Sequence, residues 1–275
     1  MINSLLKAID ILQLFSPNEP RLSLAEIASR LDLPKSTAHN LLRTLLSRGL
    51  VEKVDSDHYA LGTAIISLTQ AVRINVELRD RAAPLLREMA DASRESVLLS
   101  VKDGDYILYI YAVESPRRLM ARTAVGDRVP MHCTAIGKAI LAFLPPSEVA
   151  EIVDRVGLPA STAATITNLD DLWVELEATR QRGYSIDCQE HEPSTFCVGA
   201  PIYNASGRVI AACSISGSDP EIIGSRRDQL SQRVMQTARE ISRFLGYVPA
   251  RQALVAPRIS VENRGNRQKT VLVSK

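Results

Sequence analysis

The stretch from Leu22 to Gly62, LSLAEIASRLDLPKSTAHNLLRTLLSRGLVEKVDSDHYALG, limits the folds open to this chain more than any other. Its pattern predicts a helix, a tight turn, a second helix and a short β-hairpin. Ser23 with Glu26 three residues later forms a capping box, which satisfies two otherwise orphaned backbone donors at a helix start. Leu24, Ile27, Ala28 and Leu31 then recur at helical spacing and give that helix one apolar face. Asp32-Leu33-Pro34 ends it, because the residue before proline is pushed out of the α region, and Pro34 fits the first turn of a new helix. The second helix, from about Lys35 to Arg48, buries Ala38, Leu41, Leu42, Leu45 and Leu46. Gly49 closes it as a C-cap, and Leu50–Val54 pairs with His58–Leu61 around Asp55-Ser56-Asp57 as a wing.

The outer face of the second helix shows Lys35, Ser36, His39, Asn40, Arg43 and Thr44. Short hydroxyls, an amide and cations are the groups that phosphates and base edges require, and a helix fits the major groove. Together with Thr37 they are the candidate DNA-binding residues. Periodicity alone leaves a second reading open, a small helical bundle with an idle polar face. The order helix, turn, helix, wing favours double-stranded DNA, because that order recurs in DNA-docking domains.

With 275 residues there is room for two ordinary domains, each with its own core. No apolar run reaches the length of a membrane span, so no membrane partner is expected. The Met1-Ile2-Asn3-Ser4 start lacks the features of a signal peptide, which places the expectation in the cytoplasm. A net charge of +2 argues neither for nor against nucleic acid. Cys133, Cys188, Cys197 and Cys213 have no CxxC spacing and no nearby histidine pairing, so neither a metal site nor a cofactor is expected. Small buried thiols are the simple reading; a redox-sensing regulator is the alternative.

Ahead of the winged element, Asn3–Phe15 is an amphipathic helix with Leu5, Leu6, Ile9, Leu12 and Leu14 as its apolar positions. After it, Ala64 to about Val76 is helical, and Ile65, Leu68, Ala71 and Val72 make a narrow seam. That seam belongs either to one more core helix or to a linker pairing two protomers, the reading its position favours. Leu78–Ala92 reads as a further helix with Leu85, Leu86 and Met89 inward. Ser96–Val101 and Tyr106–Val113 then form a hairpin around Lys102–Asp105, and Arg118–Ala124 is a candidate strand. Gly126–Pro130 reads as a turn before a helix from about Thr134 to Leu144. Helices at Ser147–Val156 and Leu169–Arg182 follow, the second with Asp170 and Asp171 at its start and Gly183 past its end. Strands at Ser185–Glu190, Phe196–Tyr203 and Val209–Ser216 precede a closing helix, Ile222–Leu245. The fold class is α+β, with an antiparallel sheet flanked by helices. The domains are residues 1–63, a linker helix over 64–78, a second domain over 79–247 and a tail over 248–275. That tail holds six basic residues against the single acid Glu262, lacks periodicity and reads as disordered.

These stretches, taken together, resemble the IclR-type family of bacterial transcriptional regulators. The matching pieces are LSLAEIASRLDLPKSTAHNLLRTLLSRGLV and YALG, then VES at Val113–Ser115 and VGDRVPMHCTAIGKAILAFLP. TITN at Thr165–Asn168, RGYSID, CVGAPI and SISG at Ser214–Gly217 complete the set. The resemblance implies a winged helix-turn-helix that binds operator DNA, a linker helix and a GAF-like effector-binding domain. It further implies homodimers or tetramers on palindromic or pseudo-palindromic operators, and a small organic acid, from a catabolic pathway, as effector. Carried over by position, backbone N–H groups around Ala135 and Ile136 would receive a ligand carboxylate, as helix N-termini do. Asp187 would accept a hydrogen bond from the ligand or water, and Cys197, Ser214 and Ser216 would line the floor.

Two positions depart from the family pattern. Asn40 stands where many relatives carry arginine, and asparagine is suited to adenine, so an altered operator is expected. Ahead of Cys197 a common glycine is missing and the loop reads His191-Glu192-Pro193-Ser194-Thr195-Phe196, which should alter pocket size and selectivity. An enzyme is disfavoured: there is no GxSxG elbow, no HExxH and no glycine-rich phosphate loop. His132 beside Cys133 is the one notable pair, but adjacent residues on an extended segment point to opposite faces. A ligand-independent scaffold that binds DNA and only dimerises through its second domain is the remaining alternative.

Overall fold

The computed structural model describes residues 1–16, 19–70, 73–115 and 125–248, at 70 and 73–76 the backbone only. The strand expected at Arg118–Ala124, the seam positions Ala71 and Val72, and all of the tail after Val248 lie outside the described residues.

In the N-terminal unit, α1 (Asn3–Gln13), α2 (Leu24–Arg30) and α3 (Lys35–Ser47) pack with the strands β2 (Val51–Lys53) and β3 (His58–Leu61). Ile11, Ile27, Leu42, Leu45, Val51 and Tyr59 form one core. The capping box is present: Glu26 N–H donates to Ser23 Oγ at 3.2 Å, and Ser23 N–H to Glu26 Oε2 at 2.7 Å. Asp32 ends α2 in the left-handed region (φ 49°), with Leu33 N–H reaching back to the Ala28 carbonyl, and Pro34 caps α3 instead of entering its first turn. At the other end of α3, Gly49 N–H bonds the Leu46 carbonyl and Leu50 N–H the Leu45 carbonyl, a Schellman closure.

Two features differ from the sequence reading. A two-residue strand, β1 (Leu22–Ser23), pairs with β3 and makes the hairpin a three-stranded sheet in the order β1-β3-β2. Helix α1 turns Ile11 inward, with Phe15 buried just past its end, while the expected core positions Leu5, Leu6 and Ile9 are exposed.

A helix α4 (Ala64–Gln70) follows, and α5 runs without a break from Arg73 to Ser93. The expected division near residue 77 is therefore absent. Pro84 is tolerated inside α5 on an exposed position, while Leu78, Ala82, Leu86 and Met89 face the core.

The C-terminal unit is a sheet of six described strands in the order β6-β5-β4-β9-β8-β7: β4 (Ser96–Asp103), β5 (Tyr106–Val113), β6 (Arg128–Pro130), β7 (Ser185–Cys188), β8 (Phe196–Tyr203) and β9 (Val209–Gly217). Every described pairing is antiparallel. The segment read as a turn at Gly126–Pro130 supplies β6, because Arg128–Pro130 pairs with the outer edge of β5. Alternation along the strands loads both faces. Val97, Leu99, Val198 and Ile215 meet α5 and α9 (Arg227–Phe244) on one side. Leu98, Ile107 and Tyr109 meet α6 (Ala135–Leu141), α7 (Pro146–Val156) and α8 (Leu169–Arg182) on the other. The closing helix begins at Arg227, five residues later than expected, because Pro220–Ile222 forms a separate 3-10 turn capped by Asp219. No described helix is long and apolar enough to cross a membrane.

Candidate functional site

Two surfaces gather the residues singled out by the sequence. On α3, Ala38, Leu42 and Leu45 point into the core, and this sets the opposite face outward. Lys35, Ser36, His39, Asn40, Arg43 and Thr44 are all exposed there, with Thr37 half-buried at the edge. Thr44 Oγ1 donates to the Asn40 carbonyl at 3.0 Å, which leaves its lone pairs outward. The wing tip is a tight Asx turn in which Asp55 Oδ1 accepts from the Asp57 and His58 N–H groups and from the His58 ring. Those bonds, the backbone ones first, hold the Asp55 carboxyl down at about 2.

The second surface is a cavity between the sheet and the start of α6. Ladder register explains why its residues meet. Asp187 on β7 lies opposite Cys197 on β8, which lies opposite Ser216 on β9. One step along, Ser185 pairs with Gly199, Gly199 with Ser214, and Ser214 with Leu98 on β4. Residues directly opposite, or two apart on one strand, share a face. Two adjacent rows across the sheet therefore carry Asp187, Cys197, Ser216 and Ser214 toward the helix side. Gly199 lets α6 come down on them: a Cβ there would lie 3.0 Å from the Ala135 carbonyl oxygen.

Ala135, Ile136, Asp187, Cys197, Ser214 and Ser216 all line this one cavity, together with Leu98, Tyr109, Thr134, His191, Glu192 and Thr195. Thr134 caps α6 by accepting from Gly137 N–H at 3.0 Å. The N–H groups of Ala135 and Ile136 have no hydrogen-bond partner among the described residues. Cys197 Sγ donates to Ser216 Oγ at 3.2 Å. Asp187 accepts from Glu190 N–H at 2.8 Å, and burial raises its carboxyl to about 7. Burial lowers the His191 imidazole below its usual range, and its Nδ1 lies 3.7 Å from Cys133 Sγ. The open space inside is about 20 Å³, room for about one water molecule.

His132 and Cys133 lie in the turn between β6 and α6, not on the extended segment expected, and their side chains diverge there. His132 Nε2 faces the Pro159 carbonyl at 3.1 Å, while Cys133 lies under His191 with its thiol pushed up to about 12 by burial. Of the four thiols expected to be buried, Cys188 is exposed, since it ends β7 on the strand's outward side. No cluster of metal ligands exists among the described residues. Sequence reasoning missed Leu98, Tyr109 and the buried pair Lys138–Glu190. Leu98 and Tyr109 belong to strands distant in the chain, and nothing local marks them. Lys138 stands as a single lysine inside the apolar run TAIGKAI, a pattern that does not by itself tell a buried lysine from an exposed one.

Residues 4–55 match the IclR helix-turn-helix domain, and residues 70–243 match the bacterial transcriptional regulator IclR C-terminal domain. The chain belongs to the IclR family. It is thus a helix-turn-helix transcriptional regulator, and its IclR relatives are named as regulators rather than enzymes. One of them, the HTH-type transcriptional regulator KipR of Bacillus subtilis, is 31% identical over 244 residues, covering 89% of this chain and 97% of KipR. The crystal structure of the Thermotoga maritima IclR is similar over 90% of this chain and 100% of that one, with 35% identity and a TM-score of 0.75. The fold also matches that of an IclR homolog from Microbacterium hydrocarbonoxydans complexed with 4-hydroxybenzoate (TM-score 0.79, 22% identity, 88% of this chain and 98% of that one).

Proposed function

We propose that this IclR-family protein is an effector-controlled regulator of a catabolic operon, with α3 reading operator DNA and the cavity beside α6 sensing a small organic acid. One observation carries the reading: Ala135, Ile136, Asp187, Cys197, Ser214 and Ser216, separated by up to 81 residues in the chain, line a single cavity. Their chemistry fits an acid at one end, where two helix-start amides, unpaired among the described residues, favour an anion. It fits a hydroxyl, amine or water at the other, where Asp187 accepts. The complex of an IclR homolog with 4-hydroxybenzoate supports an acid of this general kind.

Ile2, Leu5, Leu6 and Ile9 on and beside α1, and separately Ile66 and Leu68 on α4, are exposed apolar side chains of the kind a second copy of the chain would cover, supporting a homodimer or a tetramer of paired dimers. Two-fold symmetry would then set a palindromic operator. Effector binding would shift the linker helices and the spacing of the two copies of α3, and so change operator affinity.

The small size of the cavity favours one rival, a ligand-independent scaffold. Titration of operator-bound protein with carboxylic acids, followed by anisotropy, separates the two. Thr37→Ala and Arg43→Ala should weaken DNA binding and spare acid binding, while Asp187→Ala should do the reverse. Equal damage to both activities by both classes would refute the two-site division.

A further inference from the structure

The loop between β7 and β8 forms part of the cavity wall, contributing His191, Glu192 and Thr195 to its lining. At about 20 Å³ the cavity admits an organic acid only after its wall moves, and this loop is the part of the wall that lies outside the sheet and α6. What holds the loop therefore governs access. Its own turn is compact: Gln189 N–H bonds the Thr195 carbonyl, Ser194 N–H bonds Gln189 Oε1, and Gln189 and Ser194 both take positive φ. Thr162 and Thr165 donate from outside to the Gln189 and Glu190 carbonyls, at 2.7 and 2.6 Å.

A further tie among the described residues is electrostatic. Lys138 on α6 is 1% exposed, and its Nζ lies 2.5 Å from Glu190 Oε1, with Glu175 Oε1 farther off at 3.5 Å. Glu190 is itself 7% exposed, and its second oxygen, Oε2, has no partner among the described residues. The ammonium is therefore the charge that compensates this carboxylate. A buried charge stripped of its partner is strongly unfavourable, so the loop cannot lift Glu190 away while Lys138 stays buried unless both are resolvated.

We propose that Lys138 is a positioning residue of the effector pocket, acting through Glu190 to hold the 189–195 loop in place as part of the cavity wall without lining the cavity itself. The proposal rests on the reading of that cavity as the effector site. It assigns the pocket's affinity and opening rate in part to a side chain that never touches the ligand.

Thiol labelling tests it without any effector. Cys197 lines the cavity beside the loop and Cys133 lies against His191, so both report opening of the loop. Cys213 sits in the core on the other face of the sheet and reports global unfolding, while exposed Cys188 reports reagent quality. Full-length protein is treated with iodoacetamide in native buffer, and labelling is followed peptide by peptide by mass spectrometry. In Lys138→Met, Cys133 and Cys197 should label about tenfold faster or more relative to Cys213 than in the unsubstituted protein. Glu190→Gln, which keeps the shape of the carboxylate, should shift the same ratio by a smaller factor and serves if Lys138→Met does not fold. An unchanged ratio, or acceleration of all three buried thiols together, would show that the pair supports only general stability and would overturn the proposal. Failure of the acid-sensing reading would appear separately, as absence of acid binding with the labelling ratio still shifted.

Discussion

Ser185 and Gly199 face each other across β7 and β8, and the hydroxyl of one occupies the room left by the missing side chain of the other. A Cβ on Gly199 would lie 2.9 Å from Ser185 Oγ, which itself donates to the Ala135 carbonyl at 2.5 Å. The start of α6, and with it the amides of Ala135 and Ile136, is thus seated by a pair of small residues on neighbouring strands. Gly199→Ala should cost about 1–3 kcal/mol by overpacking. Adding Ser185→Ala should recover part of that loss, because the nearest obstacle is removed. Urea midpoints of the two variants check this; a double variant no more stable than the single one would contradict it.

Asp187 should make stability depend on pH. Its carboxyl is raised by burial from the usual carboxylate range to about 7, so between about pH 4 and pH 7 the folded state binds the extra proton. Stability from this group is complete below that window and falls as pH rises through it. Asp187→Asn keeps an acceptor for Glu190 N–H and removes the titration. The variant should match the parent near pH 4.5 and exceed it at pH 8, by up to about 4 kcal/mol. Urea unfolding at the two pH values decides it, and curves displaced equally at both would rule out this role for Asp187.

On the DNA face, Arg43 is exposed on α3 and has no hydrogen-bond partner among the described residues. As a phosphate contact its loss should weaken binding to all duplexes alike. Arg43→Ala should also lower the slope of log affinity against log salt by about 1. If instead affinity fell for the operator alone with the slope unchanged, Arg43 would be reading a base.

Asn40 is likewise outward on α3. A bidentate asparagine selects adenine, whereas arginine in that place selects guanine, with about 1–3 kcal/mol of discrimination. Asn40→Arg should shift base preference at one position in each half-site. Selection from a randomised operator library measures it, and an unchanged preference would remove Asn40 from base readout.

Local rules made much of this fold legible. The capping box, the two faces of α3, the wing and the bounds of α8 and β8 follow from side-chain chemistry within a few residues. What escaped depends on partners distant in the chain. Leu22–Ser23 is too short to carry a strand pattern and becomes one only because Tyr59 and His58 lie beside it. Arg128–Pro130 is a strand for the same reason, beside Tyr106–Leu108. On α1 the apolar positions outnumber those the core can cover, and periodicity could not tell that Ile11 and Phe15 are the ones taken inside. The six expected cavity residues came from family resemblance, not from spacing. That they converge is explained by the ladder, since Asp187, Cys197 and Ser216 occupy one row. Lys138 lay unread because a lysine in an apolar helix reveals its burial only when its partner, 52 residues away, is known.

The most direct test of acid sensing is a thermal-shift screen of the full-length protein against small carboxylic acids, 4-hydroxybenzoate and short oxo- and hydroxy-acids among them. A ligand that binds only the native state at one hundred times its Kd stabilises it by about 2.7 kcal/mol. The account predicts at least one acid that raises Tm, with the effect lost in Asp187→Ala and in Ser214→Ala. A screen in which no acid raises Tm while the protein still binds operator DNA would contradict it and leave the ligand-independent scaffold in its place.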